Sequence, residues 1–154
     1  DRVSVEDFET TIRECLRTIR SVPEESSTIL SLGGGARDVL LPLTVAALVL
    51  TDRIDQTLFF SDLDLDVRAV SLPDLTAQVP ARTEPTFERI VATDGWLTLT
   101  ELADATDQSK STVIRHVQDL EDAGVLEADT SGKAKRVEAT LSGDLIRAAW
   151  TGQD

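Results

Sequence analysis

The sequence predicts an α/β domain over residues 1–80, followed by a smaller domain of helices and one β-hairpin over residues 81–154. In the first part, strand-like and helix-like apolar segments alternate, which is typical of α/β domains. In the second part, helical spacing dominates. Between the two, Pro73, Pro80 and Pro85 lie among polar residues and indicate a linker. A chain of 154 residues is long enough for two small domains.

The composition is strongly acidic. The formal charge is −13, from 28 acidic and 15 basic residues, and the only lysines are Lys110, Lys133 and Lys135. This balance resembles that of proteins from salt-loving archaea, in which acidic side chains solvate the surface. Cys15 has no partner for an internal disulfide, which fits a reducing compartment. With no signal peptide and no apolar run long enough to cross a membrane, the expected location is the cytoplasm.

The first domain is expected to contain a parallel sheet. An apolar stripe at helical spacing over residues 8–19 predicts one helix, and the apolar run over residues 39–50 predicts a second. Segments with strand character surround these helices at residues 1–5, 28–32, 56–61 and 67–72. Strands that are joined through helices run parallel, because the helix returns the chain to the starting edge of the sheet.

Three glycines join the second strand to the second helix, at Gly33, Gly34 and Gly35. Glycine allows positive φ and close approach of the backbone, so the N–H groups of such a loop can face a ligand. The start of the helix adds unpaired N–H groups and a partial positive charge, which favours an anion such as phosphate. The alternative is a turn that binds nothing, since the segment is neither a complete GxGxxG motif nor a P-loop.

No metal site is predicted. Asp62, Asp64 and Asp66 alternate like the start of a calcium loop, but an EF-hand requires glycine and glutamate where this chain has Val67 and Pro73. An acidic turn between two strands is therefore the better interpretation. His116 is the only histidine and has no cysteine or histidine cluster near it in the sequence.

The second domain has the element order of a winged helix-turn-helix. A helix over residues 87–91 is followed by a short extended segment, a helix capped by Thr100, and a turn. A longer helix is then capped by Ser109, ends at Ala123-Gly124, and turns Val113, Val117 and Leu120 inward. Strands at residues 125–128 and 136–139 form a hairpin, and a last helix covers residues 142–150. The segments 99–103, 109–117 and 120–126 resemble the winged-helix domains of many archaeal and bacterial transcription regulators.

The longer helix and the hairpin are the candidate DNA-binding elements. The second helix of such a pair places its N-terminal residues in the major groove, and a wing meets the phosphates. The predicted DNA-binding residues are Ser109, Lys110, Ser111, Thr112, Arg115, His116, Lys133, Lys135 and Arg136. Because basic residues are scarce in this chain, their concentration here favours a DNA-binding face. The alternative is a winged helix that makes only protein contacts.

An α/β domain followed by a winged helix resembles the CARF–winged-helix regulators associated with CRISPR systems, in particular their haloarchaeal members. The resemblance implies a Rossmann-like parallel sheet, a homodimer, and a cyclic oligoadenylate bound across the two-fold axis. The diagnostic loop of the family reads roughly Thr-Gly-Gly-Thr-Lys/Arg, and the matching residues here are Gly33, Gly34, Gly35, Ala36 and Arg37. This chain therefore lacks both threonine hydroxyls of the family's loop but keeps its glycines and its basic residue.

The resemblance also implies a ligand site and a function. The implied ligand-binding residues are Ser31, Gly33, Gly34, Gly35, Ala36, Arg37, Ser61 and Asp62. We expect a ligand-responsive transcription regulator, not an enzyme, whose partners are double-stranded DNA, a nucleotide second messenger and a second copy of the chain, with no resident cofactor. Two alternatives stay open, a winged-helix regulator that senses an ordinary metabolite and a CARF-type ring nuclease. Family members begin with further strands and helices, so the chain is expected to be truncated at its N-terminus.

Overall fold

The computed structural model describes residues 7–151, so the strand expected at residues 1–5 lies outside the described residues. The chain forms two compact units, Asp1–Asp74 and Leu75–Asp154, which are called the first and the second unit below. The division falls earlier than the boundary expected near residue 80. The reason is that Ala77 and Val79 pack against the apolar core of the second unit.

The first unit combines two helices with a three-stranded sheet. Its elements are α1 (Phe8–Arg20), β1 (Ile29–Ser31), α2 (Arg37–Val49), a 3-10 turn (Thr51–Arg53), β2 (Gln56–Ser61) and β3 (Asp66–Val70). Asp7 caps α1, since its carboxylate accepts the Thr10 N–H at 2.9 Å. The apolar stripe of α1 packs against α2 around a small core that includes Cys15 and Ala46. α2 begins at Arg37 and runs through the buried Pro42.

The sheet is mixed, which corrects the expectation of a parallel sheet. β1 and β2 run parallel, as their connection through α2 requires. β3 is antiparallel to β2, because the turn at residues 62–65 is too short for the crossover that a parallel strand needs. The described strands therefore do not form the all-parallel, Rossmann-like sheet that the family resemblance implied.

The second unit has the helices and strands that the sequence predicts, in the same order. They are α3 (Glu84–Val91), β4 (Leu97–Thr98), α4 (Leu99–Thr106), α5 (Lys110–Asp122), β5 (Leu126–Asp129), β6 (Arg136–Ala139) and α6 (Leu141–Thr151). A 3-10 turn (Ala81–Thr83) precedes α3. β6 lies between β4 and β5 and is antiparallel to both. The fully buried members of the core include Leu102, Val113, Val117, Leu120 and Val137.

Local hydrogen bonds set the ends of the two central helices. α4 is capped by Thr98, and not by Thr100 as the sequence suggested, because Thr98 and Glu101 form a reciprocal capping box. Asp107 ends α4 in the left-handed conformation, with φ of 52°. α5 begins after Ser109, as predicted. It is followed by Gly124 with φ of 70°, the conformation for which glycine is favoured after a helix.

Candidate nucleic-acid interface

The N-terminus of α5 carries a cluster of hydroxyl groups. The Thr112 N–H donates to Ser109 Oγ at 3.2 Å, which satisfies one of the free N–H groups of the first turn. Ser109 Oγ also lies 2.9 Å from Ser111 Oγ and 2.8 Å from Thr112 Oγ1. Ser109 thus has a structural role as the cap of the helix. The sequence-predicted residues Ser109, Ser111 and Thr112 are brought together at one helix end.

Two exposed cations lie on α5, at Lys110 and Arg115. Neither forms an ion pair with any of the residues that the structure describes. The nearby Asp119 is held by Arg82, whose Nε and Nη2 donate to its two carboxylate oxygens at 3.1 and 2.9 Å. This paired guanidinium lowers the pKa of Asp119 and offsets its charge beside Arg115. Lys110 and Arg115 are therefore available for an external anion.

The hairpin presents one unpaired lysine and two paired cations. Lys133 is exposed, with no ion pair within residues 7–151. Lys135 Nζ lies 2.6 Å from Glu121 Oε2, and Arg136 pairs with Asp129. As DNA contacts, Lys135 and Arg136 stay predictions, because each would have to exchange a carboxylate for a phosphate.

The ion pair of Arg136 belongs to a local network in the hairpin. The hydroxyl and the N–H of Ser131 and the Arg136 guanidinium together lower the pKa of Asp129 to about 2. The guanidinium of Arg136 also lies 5.7 Å from the centre of the Trp96 ring, within cation–π range. Arg136 therefore contributes to the structure of the hairpin.

His116 is not an edge residue, which corrects its predicted place among the DNA contacts. Only 5% of it is exposed, and its Nδ1 lies 2.8 Å from Thr86 Oγ1 on α3. The Thr86 hydroxyl donates to Gln108 Oε1 at 3.2 Å, in the turn before α5. His116 follows Arg115 along α5, but helical geometry turns it by about 100° toward α3. Its role is to fix α5 and the preceding turn to α3.

Burial of His116 predicts that acid destabilises the second unit. Burial is the largest cause that lowers its pKa, followed by the positive charge of Arg115. The unfolded chain takes up a proton at the ordinary pKa of 6.5 before the folded chain does. The free energy of unfolding therefore falls as pH drops below about 6.5 and levels off below the folded pKa. Thermal unfolding of the full chain between pH 8 and 5 measures this step. A His116→Asn variant, whose amide can still bond Thr86, should lack it, and a retained step would contradict the assignment.

Three residues of this interface were not identified from the sequence. Ile114 and Gln118 are exposed on the same side of α5 as Lys110, and Arg82 holds Asp119. The helical period of the sequence could have identified Ile114 and Gln118 as exposed, because both lie off the buried stripe of Val113 and Val117. Arg82 carries no such signal, since its bond to Asp119 joins positions 37 residues apart.

The predicted ligand residues of the first unit gather at one edge of its sheet. β1 and β2 are parallel, so the loop at Gly33–Gly35 and the turn after Ser61 follow the same ends of the two strands. Ser31 and Asp62 are exposed there. Ser61 is buried, and its hydroxyl lies 3.4 Å from the Asp64 carboxylate. The structure thus brings the two segments to one edge but directs the Ser61 side chain toward Asp64.

The three loop glycines differ in whether the structure would tolerate a side chain at their positions. A Cβ on Gly33 would lie 2.9 Å from the Phe60 Cβ, so the close approach of the loop to β2 leaves no room for a side chain. Gly35 has φ of 112°, which side chains disfavour. Gly34 has neither constraint, because its Cβ would meet nothing within 4 Å. Ala36 caps α2 without a side-chain hydrogen bond, and the exposed Arg37 is the first helical residue. The loop therefore offers backbone N–H groups beside a cation.

Within residues 7–151, no three His, Cys, Asp or Glu side chains gather closely enough to hold a metal ion. In the same residues, no helix is both long enough and apolar enough to span a membrane.

The second unit defines a winged helix-turn-helix. The segment from α4 through the Asp107 turn to α5 is the helix-turn-helix, with α3 packed against it and the β5–β6 hairpin as the wing. Cations that pair with no carboxylate in the described part of the chain lie on its second helix and on the wing.

A family model and a solved structure are each similar to part of this chain. The family model described as HVO_A0114 matches residues 89–143, less than half of the chain. No curated protein matches this sequence. The solved structure "Crystal structure of S. aureus MepR-DNA complex" is similar with a TM-score of 0.44 and 22% identity, over 48% of this chain. The similarity spans 63% of the MepR chain.

Proposed function

We propose that this chain is a DNA-binding transcription regulator whose second unit holds the DNA. The observation that carries the proposal is the pair of exposed cations on α5, Lys110 and Arg115, which no described carboxylate neutralises. Although the chain has a formal charge of −13, no carboxylate of residues 7–151 forms an ion pair with these two cations or with Lys133. Cations on the second helix of a helix-turn-helix suit the base edges and phosphates of a major groove.

The regulator is proposed to act as a homodimer. α2 has an apolar stripe of Leu41, Val45, Leu48 and Val49, of which Leu41 is 59% and Val49 49% exposed. Residues at this spacing share one face of a helix, and exposed apolar stripes favour association. A two-fold dimer carries two copies of α5, so its DNA site should be an inverted repeat.

Selection from random duplexes tests the proposal. The full chain is incubated with a random library in molar KCl and at lower salt, and bound duplexes are amplified and sequenced. We expect a sequence to be enriched, and a dimer predicts that it is an inverted repeat with half-sites about 34 Å apart or a multiple of that distance. A library without enrichment at any salt concentration would refute the DNA-binding function. A single half-site would refute the dimer alone.

We further propose that the first unit binds an anionic effector, a cyclic oligoadenylate, at the glycine loop. Gly33 and Gly35 have structural reasons to be glycine, whereas Gly34 has none within the described chain. A ligand that approaches the backbone would supply that reason. The uncapped start of α2 and Arg37 favour a negative charge at the same place. An ordinary anionic metabolite is the alternative effector, and ring cleavage is the alternative activity.

Substituting Gly34 tests the effector site without disturbing the fold. A Gly34→Val variant should lose ~10-fold or more in affinity for the effector, because the side chain holds the phosphate away from the N–H groups. Calorimetry with cyclic oligoadenylates of different ring sizes measures the loss, and chromatography of the recovered nucleotide detects cleavage. Gly132→Val is the control, since its position is also open. Equal affinity of both variants would exclude the loop as the site.

A further inference from the structure

The outward face of α5 has an apolar residue at its centre. Ile114 is 54% exposed, whereas Val113 and Val117 are fully buried in the core. Lys110 and Gln118 lie one turn before and one turn after Ile114, and Arg115 is adjacent. Side chains that can form hydrogen bonds thus surround one side chain that cannot.

Neither packing nor helix formation explains this isoleucine. Ile114 is not among the residues of the apolar core of the second unit, nor among the half-buried residues that pack on that core. A β-branched side chain is also less favourable in an exposed helical position than alanine, lysine or glutamate. An exposed isoleucine on a helix with free cations is therefore explained best by an external contact.

The charges around Ile114 indicate what makes that contact. Lys110 and Arg115 are both free of described ion pairs, so an occupant of this face must bring negative charge together with an apolar group. The major groove of DNA meets both conditions, because phosphates border it and the C5-methyl group of thymine is its apolar feature. We propose that Ile114 contacts a thymine C5-methyl group and selects DNA sites with thymine at that position. This inference rests on the proposed DNA-binding function.

Uracil substitution measures the contact directly. The duplex enriched by selection is resynthesised with each thymine replaced in turn by uracil, which removes the methyl group and leaves base pairing unchanged. The wild-type chain should lose affinity about fourfold at one thymine, or at one symmetric pair, which corresponds to the burial of one methyl-sized group. Fluorescence anisotropy at a fixed KCl concentration measures the affinities.

Two variants assign the effect to Ile114. Ile114→Ala should bind the thymine and uracil duplexes equally, and it should fold because the side chain is exposed and alanine favours helix. Gln118→Ala, one turn further along α5, should still distinguish thymine from uracil.

The outcomes separate this contact from the function on which it rests. A wild-type chain indifferent to every uracil, or an Ile114→Ala variant that still distinguishes the two bases, would overturn the thymine contact and leave DNA binding intact. If the wild-type chain binds no duplex, the DNA-binding function and the thymine contact are both refuted.

Discussion

Replacing Gly143 with alanine is expected to lower the free energy of unfolding of the second unit by ~3 kcal/mol. Gly143 lies in the first turn of α6, and an added Cβ would be 2.3 Å from the carbonyl oxygen of Val125. Moving that oxygen away would cost free energy, because other contacts hold it in place. It accepts the Thr140 N–H at 3.2 Å, and Val125 itself is fully buried. α6 would have to shift as a whole, which would disturb the contact of Trp150 with the Phe87 ring.

The sign of this effect distinguishes packing from helix propensity. Glycine to alanine normally stabilises a helix by ~1 kcal/mol, so a loss of stability can come only from the close contact. Gly132→Ala is the matched control, because the nearest atom to its Cβ is 3.9 Å away, and it should leave stability almost unchanged. Both tryptophans, Trp96 and Trp150, lie in the second unit. Their fluorescence during denaturant unfolding therefore reports on this unit, and an unchanged midpoint for Gly143→Ala would contradict the packing of α6.

Replacing Arg115 with alanine is expected to weaken binding to the selected DNA site by ~1–3 kcal/mol, if its guanidinium pairs with guanine. The loss should be larger on the selected site than on random DNA, because only a base contact depends on sequence. Arg115 is exposed and free of described ion pairs, so the change leaves no buried group unpaired. Fluorescence anisotropy on the selected and scrambled duplexes across a KCl series separates the two affinities.

Two further variants control for charge. Arg89→Ala removes the same charge from an exposed position on α3 and should affect binding little. Lys133→Ala should weaken binding to both duplexes alike and reduce the slope of affinity against salt by about one unit, as expected for one lost phosphate contact. Equal affinities for the wild-type chain, Arg115→Ala and Lys133→Ala would assign the winged helix to protein contacts.

Local sequence signals predicted the second unit well. Ser109 at the start of α5, Gly124 after its end and the apolar period of Val113, Val117 and Leu120 act over one or two helical turns, and the structure has all three features. Caps and periodic burial depend on neighbours in the chain, so they can be read from the sequence. The cap of α4 was misplaced by two residues, because threonines occur at both 98 and 100 and only the bond to Glu101 distinguishes them.

Contacts between residues that are distant in the chain could not be predicted from the sequence. Charge and spacing predicted Lys135 and Arg136 as DNA contacts, but whether a cation is free depends on which carboxylates the fold brings near. The structure places Glu121 and Asp129 there. The place of His116 depends in the same way on Thr86, which lies 30 positions away.

The sequence by itself determined the helices and strands of the second unit and the cations of α5, because these follow from composition and local period. Tertiary structure alone decided that His116 is buried, and that Glu121 and Asp129 pair with Lys135 and Arg136. Each of these depends on how the elements pack. A helical residue is buried or exposed according to which side of the helix meets the core, and a cation is paired or free according to which carboxylates the fold brings near it.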